Sequence, residues 1–255
     1  MHGIWYIKTT FNLIKELKNW HMYFLDYFGL INKKFVLEAR NGAKYILRPN
    51  SADRGIINEI CANHIYTPKG FEIKEKDVVL DIGAQVGIFS IYASKYAKKG
   101  KVYAFEPVKD NFTQLKENIA LNKNKNIIPL NLAVSSKNEK KTIFLSDDNT
   151  GGHSLYKELV NSSKKIIVEA ISLNYFFNKY NLRKVDFLKL DCEGAEYDIL
   201  FNVTKANLRK VRQISLEYHN IDKNKNVEKM KEFLEENGFK IRIDNKDKHM
   251  LYASH

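Results

Sequence analysis

Cysteine is scarce in this 255-residue chain, which holds only Cys61 and Cys192. Two thiols cannot build a disulfide scaffold or a four-cysteine zinc site, and they suit a reducing compartment. Four prolines and 12 glycines are too few for collagen-like or linker-like sequence. No apolar run reaches the ~18 residues that a membrane span requires. The N-terminus lacks the apolar core and small-residue cleavage site of a signal peptide. The expected location is therefore cytoplasmic. Arginine is thin as well: seven of the 42 basic residues, the other 35 being lysine. Phosphate and base readers lean on arginine's planar fork. The net charge of +12 thus reads as a lysine- and asparagine-rich composition, and a dedicated nucleic-acid role is disfavoured. What is present is a 44% hydrophobic fraction in a chain long enough to bury roughly 70% of its unfolded surface.

Three stretches follow one another. In residues 1–34 aromatic and aliphatic side chains (Phe11, Leu13, Leu17, Trp20, Phe24, Tyr27) recur at mostly three- and four-residue steps, which predicts amphipathic helix. Five lysines against Glu16 and Asp26 give this stretch a charge of +3. It suits packing on the domain, a homodimer contact, or a helix lying on an anionic membrane surface. Residues 35–76 read as a hairpin turning at Asn41-Gly42, then a helix capped by Ser51 or Asp53 and running to about Asn63. From 77 to 255 strands alternate with helices. Val78–Asp81, Val102–Glu106, Ile127–Val134, Asp186–Asp191 and Gln213–Tyr218 read as strands. Lys141–Leu145 and Ile166–Ile171 read as an inserted hairpin, and Phe239–Ile243 with His249–Ala253 as a final pair. This alternation implies parallel βαβ units with helices on both faces.

Chemistry concentrates at the ends of the strands. In Val78-Val-Leu-Asp-Ile-Gly-Ala-Gln-Val-Gly87 an apolar strand ends in an acid, and two glycines open a helix. Gly83 permits a tight turn and close ligand approach. The helix start offers free N–H groups and a positive dipole end. The spacing is not the G-x-G-x-x-G of a dinucleotide fold, and Asp81 would stand near a pyrophosphate anion. A zwitterionic amino acid with a nearby sulfonium, as in S-adenosylmethionine, suits this acid better. Glu106, 25 residues further on at the next strand end, is placed to accept hydrogen bonds from ribose hydroxyls, which either nucleotide would supply. Leu132 and Ala133 stand where an adenine contact is expected. A second cluster, Phe187-Leu-Lys-Leu-Asp-Cys-Glu-Gly-Ala-Glu196, sets Asp191 and Glu193 at a strand end and Lys189 inside an apolar strand. These acids could accept a proton from an attacking hydroxyl, orient it, hold a divalent ion with other oxygens, or cap the following helix. No ligand spacing of a metal site is recognisable. Glu217 and His219 lie two apart, so an extended strand would point both to one face. His219 is then a candidate general base. His153 sits in an insertion beside Gly151-Gly152 that could cover substrate.

Taken together, Val79-Leu-Asp-Ile-Gly-Ala-Gln-Val-Gly87, Ala104-Phe-Glu-Pro107, Leu132-Ala-Val-Ser135, Leu188-Lys-Leu-Asp-Cys-Glu-Gly-Ala-Glu196 and Leu216-Glu-Tyr-His219 resemble the FkbM family of S-adenosylmethionine-dependent methyltransferases. Ile46-Leu-Arg-Pro49 with Asp53 and Glu59 looks like that family's lead-in. The resemblance implies a Rossmann-like class I methyltransferase: an α/β fold whose seven-stranded, mostly parallel sheet ends in an antiparallel pair. It implies methyl transfer to an oxygen of a small molecule or glycan. Asp81, Gly83, Gly87 and Glu106 carry over as cofactor contacts, with Gln85 where the family often has Asn. Asp191, Glu193, Glu217 and His219 carry over as candidates near the acceptor. An NAD-linked oxidoreductase, a non-catalytic nucleotide-binding scaffold and a nucleic-acid methyltransferase are the competing readings.

Overall fold

The computed structural model describes residues 2–146, 152–244 and 249–255, with side chains described from Lys8 onward. Two helices, α1 (His2–Glu16) and α2 (His21–Tyr27), precede the hairpin β1 (Phe35–Glu38) and β2 (Lys44–Leu47). A short helix α3 (Asp53–Ile57) then runs into a π-helical turn, Asn58–Ala62. The alternating part comprises β3 (Val78–Ile82), α4 (Ile88–Tyr96), β4 (Lys101–Phe105), α5 (Lys109–Asn122) and β5 (Ile127–Leu130). Next come β6 (Ala133–Ser135), β7 (Glu139–Phe144), β8 (Lys165–Ser172), α6 (Leu173–Lys179) and β9 (Phe187–Leu190). The chain closes with α7 (Glu196–Leu200), α8 (Lys205–Leu208), β10 (Gln213–Glu217), α9 (Val227–Glu236), β11 (Lys240–Asp244) and β12 (Met250–Ser254).

Seven strands form one sheet in the order β11-β12-β10-β9-β3-β4-β5. Pairing is parallel from β10 through β5, and β12 runs antiparallel to both β10 and β11. Strand order therefore reverses between β3 and β9, the place where open α/β sheets bind ligands beyond their carboxyl ends. Alternate strand residues feed two apolar cores. Val79, Val102 and Phe187 face one, together with Leu13, Leu17 and Tyr45 from the N-terminal stretches. Leu80, Phe105 and Leu188 face the other.

Three local expectations are corrected. The stretch Ile127–Val134 is not one strand: β5 ends at Leu130, and β6 joins β8 and β7 in a separate three-stranded sheet. Asn131 pins the crossing by donating to the carbonyls of Glu106 and Pro107 at 2.9 and 3.0 Å. Asp53 does not cap α3, whose N-cap position is Ala52; Ser51, one residue earlier, accepts the Asp53 N–H at 3.3 Å. Asp53 is instead fully buried and ion-paired to Arg48 at 2.6 Å. β10 ends at Glu217, although the Tyr218 N–H still donates to the His249 carbonyl at 2.8 Å, and His219 follows the strand: Glu217 lines the cavity, whereas His219 turns to Glu193 and Glu196. The loop expected around Gly151 falls mostly outside the described residues.

The hairpin is attached by amides. Gln114, Asn118 and Asn122 are four apart and thus share a face of α5. Gln114 donates to the Ile46 carbonyl at 2.9 Å. Asn118 and Asn122 accept from the N–H groups of Ile46 and Lys44 at 2.6 and 2.8 Å. The exposed backbone edge of β2 is thereby satisfied without another strand. This places Arg48 and α3 over the carboxyl ends of the sheet.

Candidate active site

A cavity of about 630 Å³ opens at the switch point, within the range of small-molecule sites. Gly83, Gln85, Glu106 and Ala133 line it from β3, β4 and the segment after β5. Asp191, Glu193 and Glu217 line it from β9 and β10, and α3 adds Arg54 and Glu59. Three expected residues stand behind this wall: Asp81, Gly87 and His219 are not part of the lining.

Gly83 and Gly87 both have positive φ, at 78° and 86°. A Cβ on Gly83 would stand 1.7 Å from the Asp191 carbonyl oxygen, so glycine lets the turns after β3 and β9 touch. A Cβ on Gly87 would meet Leu115 Cδ1 at 2.3 Å, so that glycine lets α4 and α5 pack. Gln85 is left-handed too, at φ 50°. Its amide donates to Asp53 at 3.2 Å, which ties the turn to the lead-in segment.

Glu106 accepts from the N–H groups of Gln85 and Val108 at 2.9 and 2.8 Å. Burial raises its pKa to about 7, against the lowering effect of those two donors. Each carboxylate oxygen retains a lone pair beyond these bonds.

Lys189 explains itself in register. It lies beside Asp81 on adjacent parallel strands and is almost fully buried. Its ammonium sits 3.2 Å from Asp81, 3.5 Å from Asp191 and 2.9 Å from the Gly83 carbonyl. Burial alone would lower its pKa, but the two carboxylates outweigh this and raise it. Asp81 also accepts from Ser90 at 2.6 Å, which leaves it structurally engaged beneath the turn.

Tyr66 had no signal in the sequence. Its hydroxyl donates to Asp191 at 2.7 Å and lies 3.5 Å from Glu217. The Lys189 ammonium stands 5.0 Å from the centre of its ring, a cation–π contact. Burial, then the charges of Asp191 and Glu217, push its pKa well above the ordinary phenol value. It is therefore a hydrogen-bond donor at neutral pH. The residue comes from a loop 125 positions before Asp191, and only the tertiary fold brings the two together.

His219 lies 3.2 Å from Glu193 and 3.5 Å from the fully buried Glu196. Burial would lower its pKa, yet the two carboxylates raise it to about 11. An imidazolium of that strength is not a base near neutrality. Glu196 accepts from the Cys192 N–H at 3.0 Å, so it braces the turn after β9. His153 reaches the cavity from the inserted sheet, and burial followed by Arg48 lowers its pKa. No cluster with metal-ligand geometry occurs among the described residues.

A seven-stranded sheet with this reversal, a glycine turn after the first strand of the alternating part and an acid after the next defines a Rossmann-like class I methyltransferase. Residues 81–241 match the family described as "Methyltransferase FkbM domain". The chain belongs to this FkbM family of S-adenosylmethionine-dependent methyltransferases. Over 227 residues it is 24% identical to the AMB antimetabolite synthetase AmbE of Pseudomonas aeruginosa, covering 74% of this chain and 11% of that protein. It is 23% identical over 195 residues to the 31-O-demethyl-FK506 methyltransferase FkbM of Streptomyces tacrolimicus, covering 66% and 75% of the two chains. The crystal structure of Methyltransferase FkbM from Methylobacillus flagellatus KT shares the fold, with a TM-score of 0.54 at 13% identity over 75% of this chain. The match spans 47% of that solved chain and about a tenth of AmbE.

Proposed function

We propose that this methyltransferase acts on a hydroxyl oxygen of a small molecule or sugar. The observation that carries the reading is the convergence of Asp191, Glu217 and Tyr66 on the cavity wall beside the Gly83 turn. The printed name of the Streptomyces relative, an O-methylating enzyme, supports it. S-adenosylmethionine supplies an electrophilic methyl on a cationic sulfur. The residues present fit that donor. Glu106 offers carboxylate oxygens for the ribose, Gly83 a backbone cradle, and Phe105, Leu132 and Val134 apolar walls for a purine. Ala133 and Gln85 complete this side, while Asp81 and Gly87 hold the turn in shape.

Asp191 is assigned the proton-accepting and orienting role at the acceptor hydroxyl. Glu193 is committed to His219, which makes His219 a positioning residue for the turn after β9. Tyr66 and Lys189 both bind the Asp191 carboxylate and fix its rotamer. Holding the hydroxyl in line contributes up to ~7–11 kcal/mol in favourable systems, and a base adds about 10²–10⁴-fold. The test is calorimetric titration with S-adenosylhomocysteine and with NAD in parallel, followed by a screen of hydroxylated acceptors. Micromolar binding of the first alone, and methyl transfer to an alcohol, are expected. Transfer only to amines would overturn the oxygen assignment.

A further inference from the structure

Beside the cavity lies an apolar face that no described residue covers. On α2 the side chains of Tyr23 and Asp26 are buried, and His21, Leu25 and Phe28 stand on the opposite side at helical spacing. Phe28 is 68% exposed and Leu30 is 71% exposed. The aromatic rings touch one another, Trp20 meeting His21 and Tyr27 meeting Phe28 with centroids at 6.1 and 5.3 Å, and Trp20 is tied to the core through Phe24 at 6.0 Å. Exposed Lys15, Lys18, Lys33 and Lys34 flank this strip in sequence, and of these Lys18 and Lys34 also pair with Glu38 at 3.3 Å and Glu117 at 2.8 Å. The nearby acid Asp26 is fully buried and neutralised by Arg54 at 3.0 Å.

We propose that the face from Trp20 to Leu30 docks the protein on an anionic lipid bilayer. Exposed aromatic and leucine side chains supply apolar area for the headgroup boundary, and lysines supply attraction to acidic lipid. Charge complementarity selects this occupant over a second copy of the chain. An isologous dimer would bring the same lysine fringe against itself, in a molecule already at +12. The strip also touches the site. Arg54 lines the cavity and stands 5.3 Å over the ring of Tyr27. Docking therefore sets that edge of the cavity at headgroup level.

The test is sedimentation of the full chain with vesicles of phosphatidylcholine alone and of phosphatidylcholine containing phosphatidylserine. Binding to the acidic vesicles is expected. The double variant Phe28→Gln, Leu30→Gln should weaken it about tenfold or more, from the lost apolar burial. Both side chains are exposed, so thermal stability and S-adenosylhomocysteine affinity should stay unchanged. That second readout keeps the outcome separate from the methyl-transfer reading. No binding to acidic vesicles overturns the proposal. Equal binding of variant and parent also does, because diffuse positive charge would then suffice. A dimer in analytical ultracentrifugation that the double variant abolishes, without vesicle binding, assigns the face to a second copy and equally overturns it.

Discussion

Lowering the pH should release the cofactor through one residue, Glu106. Its carboxyl titrates at about 7 because it is buried, although two backbone donors favour the ionised form. Ribose hydroxyls donate to an ionised carboxylate better than to a neutral acid. At about pH 5.5 a group of that pKa is only ~3% ionised, so S-adenosylhomocysteine affinity should fall about 30-fold from its value near pH 8.5. The ligand-free protein has the opposite dependence. The folded-state pKa lies above the ordinary 4.5, so the folded form holds the proton more tightly. The stability this contributes is fully present below about pH 4.5 and is lost as pH rises through about 7. Its size is about 3 kcal/mol. The assays are calorimetry across that pH range in buffers of different ionisation heat, and chemical denaturation without ligand. Near pH 6.5, binding should release a fraction of a proton. In Glu106→Gln the amide oxygen can accept from only one of the Gln85 and Val108 N–H groups, so absolute stability is a poor readout there. The pH slopes are the clean one, and both should vanish. An affinity in the wild type that is flat with pH would refute the reasoning.

Asp191→Asn should cut turnover about 10²–10⁴-fold while S-adenosylhomocysteine affinity stays within about threefold; equal loss in both, measured by calorimetry beside initial rates, would make Asp191 a binding residue. Gly83→Ala puts a Cβ into the Asp191 carbonyl and requires a left-handed alanine. It should cost at least ~2 kcal/mol and abolish ligand binding, and a melting temperature at the wild-type value would contradict the contact. Lys189→Met leaves Asp81 buried without its cation and should destabilise by about 3–5 kcal/mol. With one cation gone beside two carboxylates, the acid limb of the pH–rate profile should also move to higher pH; an unmoved limb would detach Asp191 from proton acceptance.

The strand-end acids were legible because a strand followed by a glycine turn is a local pattern. Asp81, Glu106 and Asp191 could be placed at the carboxyl edge before any coordinates. Which of them faces the cavity was not legible. That depends on the register of β3 against β9, which sets Asp81 beside Lys189 and seals Asp81 under the turn, while Lys189 reaches the cavity wall. His219 was misread for a related reason. Two-residue spacing puts side chains on one face only while the strand continues, and β10 ends at Glu217. Asp53 looked like a cap from its place before a helix, whereas Arg48, five residues earlier, claims it as a buried partner. Tyr66 was invisible because its function rests on a contact across 125 residues. The final pair of strands and the inserted hairpin were legible as segments of the sequence, and the antiparallel edge was implied by the resemblance to the FkbM family. The break between β5 and β6 was not, since Asn131 makes it with side-chain bonds to distant carbonyls.

The two buried cations give the site its electrostatic logic. Carboxylates at neighbouring strand ends repel one another, and in a low-dielectric wall that repulsion would protonate some of them. Lys189 ties Asp81 to Asp191, and His219 ties Glu193 to Glu196. Each cation pairs one acid that lines the cavity with one fully buried behind it. The lining acids are thus held in fixed orientation by cations that are themselves anchored on acids behind the wall. Glu106 is held instead by N–H donors, with a smaller lowering from the charge of Lys189, and burial outweighs both and raises it toward neutrality. A carboxylate that is costly to ionise in the empty site gains most from hydroxyl donors, so the same burial that weakens the free protein strengthens its dependence on the ribose.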